Sequence, residues 1–338
     1  MANQQDGVEV VEPIWLAIPS GFGAPHVVKP FCANLYLFVP WFQVRIHRFT
    51  LLVVKYKMSQ NPVTATIVIA VYNDWPLLEC LLASLKAQWH HQFDVAIADD
   101  GSNATFVAHV RQAQQQRYPF KIHHHWQADN GFGKTIVMNQ AVANAQNPYL
   151  IFIDGDCIPQ KHFVDDHLRL ARKGQCLAGR RVDLPRDVMQ VLDMTHPDTL
   201  WRRHIARLVW MSLTQRARNI EKGLRIGLER VNLFANKARG IVGCNFSIFR
   251  EDLLAINGFD ERFNTTWGAE DSDVDRRLRL NGVRVQRAFM CAAMIHFDSS
   301  YAKREAWAAA PIDPNKPRYF EMAAAEGSAW TRFGIDKG

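Results

Sequence analysis

Two aspartates separated by one glycine, Asp154 and Asp156, follow a run of apolar and aromatic residues over 149–153. Such a run is typical of a strand buried on both faces, where unpaired charge is unfavourable. Carboxylates at its end indicate a cationic partner, because hard divalent ions prefer oxygen ligands and often share a substrate phosphate. The pattern favours a metal ion bound with a nucleotide diphosphate, although a plain Asp-Gly turn has the same composition.

A second acidic cluster, Glu270, Asp271 and Asp273, comes after Trp267 and Gly268. Acidic residues are favourable at a helix start, so a simple N-terminal cap is one interpretation. An aromatic residue, a glycine and three acids together exceed what a cap requires. The cluster is therefore a second candidate for a functional site.

Alternating strand and helix patterns must position the first acidic pair. A β-branched strand over 66–72 precedes an Asn-Asp pair that caps a helix with leucines at helical spacing. A second strand over 93–98 runs into the acidic turn 99–102, and a further helix–strand unit ends at Asp154. This alternation predicts a parallel, doubly wound α/β sheet. Both acidic turns then lie at the carboxyl ends of strands, where such sheets bind ligands.

The composition suits a globular protein with anionic partners. The chain has 338 residues, 48% of them hydrophobic, which is ample for one large or two small domains. A formal net charge of +7 favours sugar nucleotides, anionic lipid or nucleic acid as partners. The six scattered cysteines indicate reduced cytosolic thiols. No apolar run reaches the ~18 residues of a membrane span, and no basic residue before Lys29 marks a secretory signal.

The regular pattern has irregular segments on both sides. Residues 1–57 do not resemble the rest of the chain, and we expect a leader that is disordered, touches a membrane or precedes a true start at Met58. The predicted domain covers 58–300, and the tail over 301–338 indicates no site.

The regular pattern is also interrupted by a basic segment over 160–239, predicted as a helical insertion with an apolar stripe along 201–219. Its excess of arginine and lysine has two interpretations. It is either a solvated face or a surface for anionic membrane or a phosphorylated acceptor.

Three other patterns suggest chemistry that the sequence does not complete. Gly133 and Lys134 imitate a phosphate-binding P-loop, but Ala128 stands where that motif needs its first glycine. A phosphatase with an aspartyl nucleophile would need a threonine where Ile158 stands. The histidines at 123–125 point alternately to opposite faces of a strand, so we expect exposed or edge histidines rather than metal ligands.

Four motifs, taken in order, resemble the family 2 glycosyltransferases with a GT-A fold. They are Val71-Tyr72-Asn73, Asp99-Asp100-Gly101-Ser102, Asp154-Gly155-Asp156 and Trp267-Gly268-Ala269-Glu270-Asp271. The segment 257–273 is similar to the carboxyl-terminal part of β-1,4-galactosyltransferases and bacterial chondroitin-polymerase modules. The resemblance covers roughly residues 64–299 and implies inverting transfer from a nucleotide-activated sugar, most often a UDP-sugar, with Mn²⁺ or Mg²⁺.

The resemblance also implies roles on the donor side. The base and ribose would be held by Val71, Tyr72 and Asp100, with Asp99 nearby. Asp154 would touch the ribose or a metal-bound water, whereas Asp156 and His296 would bind the metal.

On the acceptor side, the resemblance implies that Asp271 is the general base and that Glu270 positions the acceptor hydroxyl. Trp267, with Gly268 beside it, would offer the acceptor sugar a flat apolar face.

Two positions depart from the family pattern. An arginine usually precedes Asn139 in the family, and here that position is Met138, so a diphosphate contact is missing unless Lys134 supplies it. The methionine ligand of galactosyltransferases would fall at Ala293.

We therefore predict a cytoplasmic glycosyltransferase that extends a cell-surface polysaccharide or lipopolysaccharide. Its partners would be a nucleotide-sugar donor and a saccharide or lipid-linked saccharide acceptor, with peripheral contact to the anionic inner membrane and no nucleic acid. The alternative is a catalytically inactive, transferase-like binding module, which the lack of donor hydrolysis would reveal.

Overall fold

The computed structural model describes residues 63–226, 240–263, 269–298, 321 and 323–337. They all belong to the unit Ser59–Gly338. The predicted leader over 1–57 and most of the predicted tail over 301–338 lie outside the described residues. The strands are β1 Ala65–Val71, β2 Phe93–Asp99, β3 Ile122–Trp126, β4 Tyr149–Asp154, β5 Cys157–Pro159, β6 Gln175–Ala178, β7 Arg180–Pro185, β8 Asn245–Phe249, β9 Arg284–Arg287 and β10 Ala293–Asp298. The α-helices are α1 Trp75–Lys86, α2 Ala104–Gln115, α3 Lys134–Asn144, α4 Phe163–Leu170, α5 Leu200–Arg203, α6 Ile205–Leu213, α7 Arg250–Leu254 and α8 Glu270–Leu280.

Seven of the described strands form the central sheet, in the order β3-β2-β1-β4-β8-β6-β9. The strands β3, β2, β1 and β4 are mutually parallel, and β8 enters antiparallel to β4. The predicted α/β fold with a mainly parallel, doubly wound sheet is therefore confirmed. The remaining described strands form a smaller sheet, β5-β10-β7.

Hydrophobic side chains of β1 pack on both faces of the central sheet. Ile67 and Ile69 join leucines of α1 in one core cluster, whereas Val68 joins Val137 and Ala141 of α3 in another. This alternation follows from the two-residue side-chain period of a strand. It explains why β1 is apolar at nearly every position and why helices must cover both faces.

The segment 160–239 is not purely helical, which corrects part of the sequence prediction. It contributes β6 to the central sheet and β7 to the smaller one. The helix predicted over 201–219 is shorter, because it is interrupted at His204 and its second part ends at Leu213. Neither strand gave a clear signal, because β6 has only four residues and β7 carries two arginines, an aspartate and a proline. Among the described residues, no helix combines the length and hydrophobicity of a transmembrane span.

Helix α8 is held to the preceding chain by one buried arginine. The Arg277 side chain is 2% exposed, and its Nε lies 2.7 Å from Oδ2 of Asp273, one turn earlier. Its Nη1 donates to the carbonyl oxygens of Ile256 and Gly258 at 2.8 and 2.9 Å. Because α8 carries the second acidic cluster at its start, this arginine helps to fix where that cluster lies.

We expect Arg277→Ala to lower the free energy of unfolding by about 3 kcal/mol, because it removes the buried partner of Asp273 and leaves that buried carboxylate with Arg276 as its remaining cation. Arg279→Ala is the matched control, since Arg279 pairs with Asp275 at the same spacing on the exposed side of α8. That change should cost about 0.5 kcal/mol or less. Urea denaturation of both variants measures the difference, and equal losses would contradict the role given to Arg277.

Candidate active site

A cavity of about 560 Å³ opens where β1, β2 and β4 end. Its lining includes Val71 at the end of β1, Asp100 just after β2, and Asp154 at the end of β4. In a doubly wound sheet, this edge is the place where ligands bind. The volume is within the range of small-molecule and cofactor pockets.

One side of the cavity is formed by an apolar residue and a tyrosine from the end of β1. Val71 is buried, and Tyr72 is 53% exposed, with its hydroxyl donating to Oδ2 of Asp129 at 2.9 Å. Both residues line the cavity, as does Asp129. The hydrogen bond to Asp129 raises the pKa of Tyr72, which keeps the phenol neutral and able to donate.

The carboxylate of Asp100 is held in the cavity wall by two donors. The backbone N–H of Gly133 donates to Oδ2 at 2.8 Å, and Nε2 of Gln127 donates to Oδ1 at 2.6 Å. Burial raises the pKa of Asp100 in spite of these hydrogen bonds, which lower it. The start of α3 therefore faces a carboxylate, which differs from a P-loop, where the helix start faces a phosphate.

Asp99 does not line the cavity. Its side chain is fully buried; Oδ2 lies 2.9 Å from Nε2 of His124, and Oδ1 accepts the N–H of Ser102 at 2.9 Å. The structure therefore gives Asp99 a part in closing the turn after β2. His124 belongs to β3, which is the edge strand that the histidine pattern predicted.

Lys134 connects the two acidic clusters found in the sequence. Its Nζ lies 2.8 Å from Oδ1 of Asp154 and 3.4 Å from Oε1 of Glu270, and its side chain is 16% exposed. Burial lowers the pKa of this ammonium, but the two carboxylates raise it above its usual range. Lys134 is thus a permanent cation between the end of β4 and the start of α8.

Asp156 and His296 meet beside the same cavity. Oδ2 of Asp156 lies 3.2 Å from Nε2 of His296, because β10 pairs with β5 and places His296 opposite Cys157. Two atoms that bind one ion at about 2.1 Å and at a right angle would be about 3 Å apart. The other ring nitrogen of His296 lies 3.2 Å from Oδ1 of Asp183, the outer contact that orients metal-binding histidines. These residues fit a divalent ion.

Binding of an ion to this cluster requires the His296 ring to lose a proton, because only a neutral ring nitrogen can act as a ligand. Burial lowers the pKa of His296, but Asp156 and Asp183 raise it to about 10, so the ring carries a proton when no ion is bound. Burial also raises the pKa of Asp183, yet His296 and Arg181 hold it below its usual range. The thiol of Cys157 is close to Asp156 and His296, but burial raises its pKa well above the usual value. A neutral thiol is a poor ligand for a hard ion.

Glu270 and Asp271 are the first two residues of α8. Oδ2 of Asp271 accepts the N–H of Gly243 at 3.1 Å, and Oδ1 accepts the N–H of Ser272 at 2.7 Å. Ala269, just before them, has a φ of 60°, a left-handed conformation that is unfavourable for alanine and often accompanies functional sites. The predicted acceptor residues Trp267 and Gly268 lie outside the described residues.

Sequence analysis missed three charged residues that line the cavity, Asp74, Asp129 and Arg186, and it also missed Asp183, which contacts His296. Asp183 supports His296, and Arg186 lines the cavity from the chain just after β7. Neither belongs to a recognisable motif, because both depend on the pairing of β7 with β10. Met138, the position without an arginine, is buried in the core with Val68 and Ala98, so it offers the cavity no cation.

The chain belongs to glycosyl transferase family 2, whose model matches residues 66–253, more than half of its length. A second family model, described as the N-terminal domain of galactosyltransferase, matches residues 227–300. The resemblance to family 2 enzymes with a galactosyltransferase-like carboxyl-terminal segment is thereby confirmed.

Curated relatives of this chain are larger glycosyltransferases. The hyaluronan synthase of Pasteurella multocida is 24% identical over 275 residues, which are 77% of this chain and 27% of that protein. The chondroitin synthase of Escherichia coli is 25% identical over 228 residues, which are 64% of this chain and 32% of the synthase. The chain therefore spans about a third or less of the length of these relatives.

A solved structure shares the fold. It is that of GalNAc-T7 with UDP, GalNAc and Mn²⁺, with a TM-score of 0.52 at 14% identity. The match covers 82% of this chain and 53% of the other. At this identity the likeness shows the GT-A fold alone.

Proposed function

We propose that this chain is an inverting glycosyltransferase that moves a sugar from a nucleotide-diphosphate donor, a UDP-sugar, to a hydroxyl of a saccharide acceptor. The observation that carries the proposal is the ion pairing of Lys134 with both Asp154 and Glu270. It brings the acidic strand end suited to a donor next to the acidic helix start suited to an acceptor. The names of the polysaccharide synthases among the relatives support a saccharide acceptor and a role in polysaccharide synthesis. We propose that the product is a cell-surface polysaccharide or lipopolysaccharide.

On the donor side, Val71, Tyr72 and Asp100 would surround the base and ribose, because they form one wall of the cavity. Asp156 and His296 would hold Mn²⁺ or Mg²⁺. When bound, such an ion neutralises the charge that develops on a leaving diphosphate. Lys134 keeps Asp154 at the boundary between donor and acceptor.

In the transfer step, Asp271 would take the acceptor hydroxyl proton as the new bond from oxygen to the donor's anomeric carbon forms. The bond from that carbon to the diphosphate breaks, and its electron pair leaves with the phosphate oxygen. Hydrogen bonds from Gly243 and Ser272 fix the Asp271 carboxylate. Glu270 would orient the hydroxyl, and Trp267 with Gly268 would support the acceptor ring.

The donor site is tested by calorimetric titration of UDP, GDP, CMP and dTDP with and without Mn²⁺. We expect one nucleotide to bind at least tenfold more tightly with the metal. Asp156→Ala should abolish that gain, because it removes one of two ligands. Asp193→Ala changes a partly exposed acid that pairs with Arg203 and does not line the cavity, so it should leave that gain unchanged. Binding that is equal with and without metal would contradict the metal site.

The base is tested by release of nucleoside diphosphate from candidate donors. Asp271→Asn should lower kcat by roughly 10²–10⁴-fold, since a general base contributes about that much. Nucleotide affinity should stay within about twofold of the wild type. Asp275→Asn on the same helix is the matched control. If the wild type binds a nucleotide but hydrolyses no donor, the alternative of an inactive binding module is the better interpretation.

We also propose that the predicted membrane contact involves α6, where a lipid-linked acceptor would be presented. Trp210 and Leu213 are 66% and 74% exposed, and Arg207 lies one turn before Trp210. Apolar side chains next to arginine fit the interface of an anionic bilayer. Wild-type protein should co-sediment with phosphatidylglycerol vesicles more than with phosphatidylcholine vesicles, and Trp210→Ala should weaken this. Trp330→Ala is the control; equal sedimentation of all three proteins would contradict the proposal.

A further inference from the structure

Arg186 lies at the rim of the cavity, directly after the last residue of β7. Its guanidinium faces the carboxylate of Asp74 with two nitrogens; Nη2 donates to Oδ1 at 2.7 Å, and Nη1 donates to Oδ2. The arginine side chain is 45% exposed, and both residues line the cavity. The pair therefore joins the start of α1 to the chain that follows β7, within the lining of the cavity.

The charge of the cavity wall is strongly negative. Five carboxylates line it in the described part of the chain: Asp74, Asp100, Asp129, Asp154 and Asp156. The cations among those lining residues are Lys134 and Arg186. Lys134 is held between Asp154 and Glu270, so Arg186 is the cation whose present partner is easiest to replace.

The partner of Arg186 would keep a hydrogen bond if the arginine left. Asp74 is the N-terminal cap of α1, and its Oδ1 also accepts the N–H of Leu77 at 3.4 Å. A half-exposed ion pair contributes little to stability because water and salt screen it. A phosphate offers guanidinium the same two-oxygen geometry as a carboxylate, with more negative charge.

We propose that Arg186 exchanges Asp74 for the diphosphate of the donor, and so acts as a donor-binding residue that is masked by Asp74 when the cavity has no ligand. This inference rests on the proposed function, since it requires a nucleoside diphosphate in the cavity. It gives Arg186 two roles: it binds phosphate oxygens, and it selects nucleoside diphosphates over nucleosides. Asp74 competes with the ligand for the same guanidinium.

The test compares a diphosphate with its nucleoside. Calorimetry would measure UDP and GDP against uridine and guanosine, all with Mn²⁺, on the wild type and on Arg186→Ala, Asp74→Asn and Arg216→Ala. Arg186→Ala should lower the affinity for the nucleoside diphosphate roughly tenfold to a hundredfold, because it removes charge-assisted hydrogen bonds that contribute about this much. Affinity for the matching nucleoside should not change.

Asp74→Asn gives the opposite expectation. Asparagine still caps a helix but competes less for guanidinium, so this variant should bind the diphosphate several-fold more tightly than the wild type. Arg216→Ala is the matched control, because Arg216 pairs with exposed Asp187 outside the cavity. Thermal melting would confirm that the variants are folded.

Each contrary result has a distinct meaning. If the wild type binds no nucleoside diphosphate with metal, the proposed function and this inference both fail. If the wild type binds but Arg186→Ala binds equally well, only the inference fails. Equal losses for diphosphate and nucleoside, or weaker binding by Asp74→Asn, would show that the pair only holds the cavity in shape and would also overturn the inference.

Discussion

The arrangement of the site depends on one partly buried cation, Lys134, placed between two carboxylates. Asp154 ends a strand of the parallel sheet, and Glu270 begins a helix that lies 136 residues after the lysine in sequence. Without the ammonium, these two acids would face one another in a region that excludes much of the water, which is costly. The lysine therefore makes close approach of α8 to the end of β4 favourable. The acids at the end of β4 and at the start of α8 are both neutralised by the same ammonium group.

The small sheet has a comparable effect on Asp156 and His296, the two residues proposed to hold the metal ion. Asp156 needs no special arrangement, because it lies just after the end of β4. His296 reaches it only because β10 pairs with β5 on one side and with β7 on the other. The same pairing places Asp183 opposite His296 in the register, where it holds the ring by the nitrogen that does not face Asp156. Backbone pairing thus determines which ring nitrogen is available to an ion.

Sequence patterns predicted the parts of the fold that are long and periodic. Strands β1, β2 and β4 are apolar enough to be recognised, and the acids at their ends could be placed at one edge of a sheet. The sequence did not show which of Asp99 and Asp100 faces the cavity. Adjacent side chains at a strand end point in different directions, and the motif does not indicate which direction leads to the ligand. Asp183 and Arg186 gave no signal at all. Their role depends on β7, whose position beside β10 is set by tertiary pairing rather than by periodicity.

Under the proposed function, the negative charge of the cavity has a consequence for donor selection. A diphosphate alone would be repelled by five carboxylates that line the described cavity, since like charges at short range are unfavourable in a site with limited water. An ion held by Asp156 and His296 changes the sign of that interaction where the phosphates must lie. The acidic residues of the wall weaken binding of the diphosphate when no metal ion is present. Binding of the diphosphate therefore depends on the metal ion. The same wall leaves neutral sugars and nucleosides unaffected, so charge rather than shape would set the order of preference among ligands of similar size.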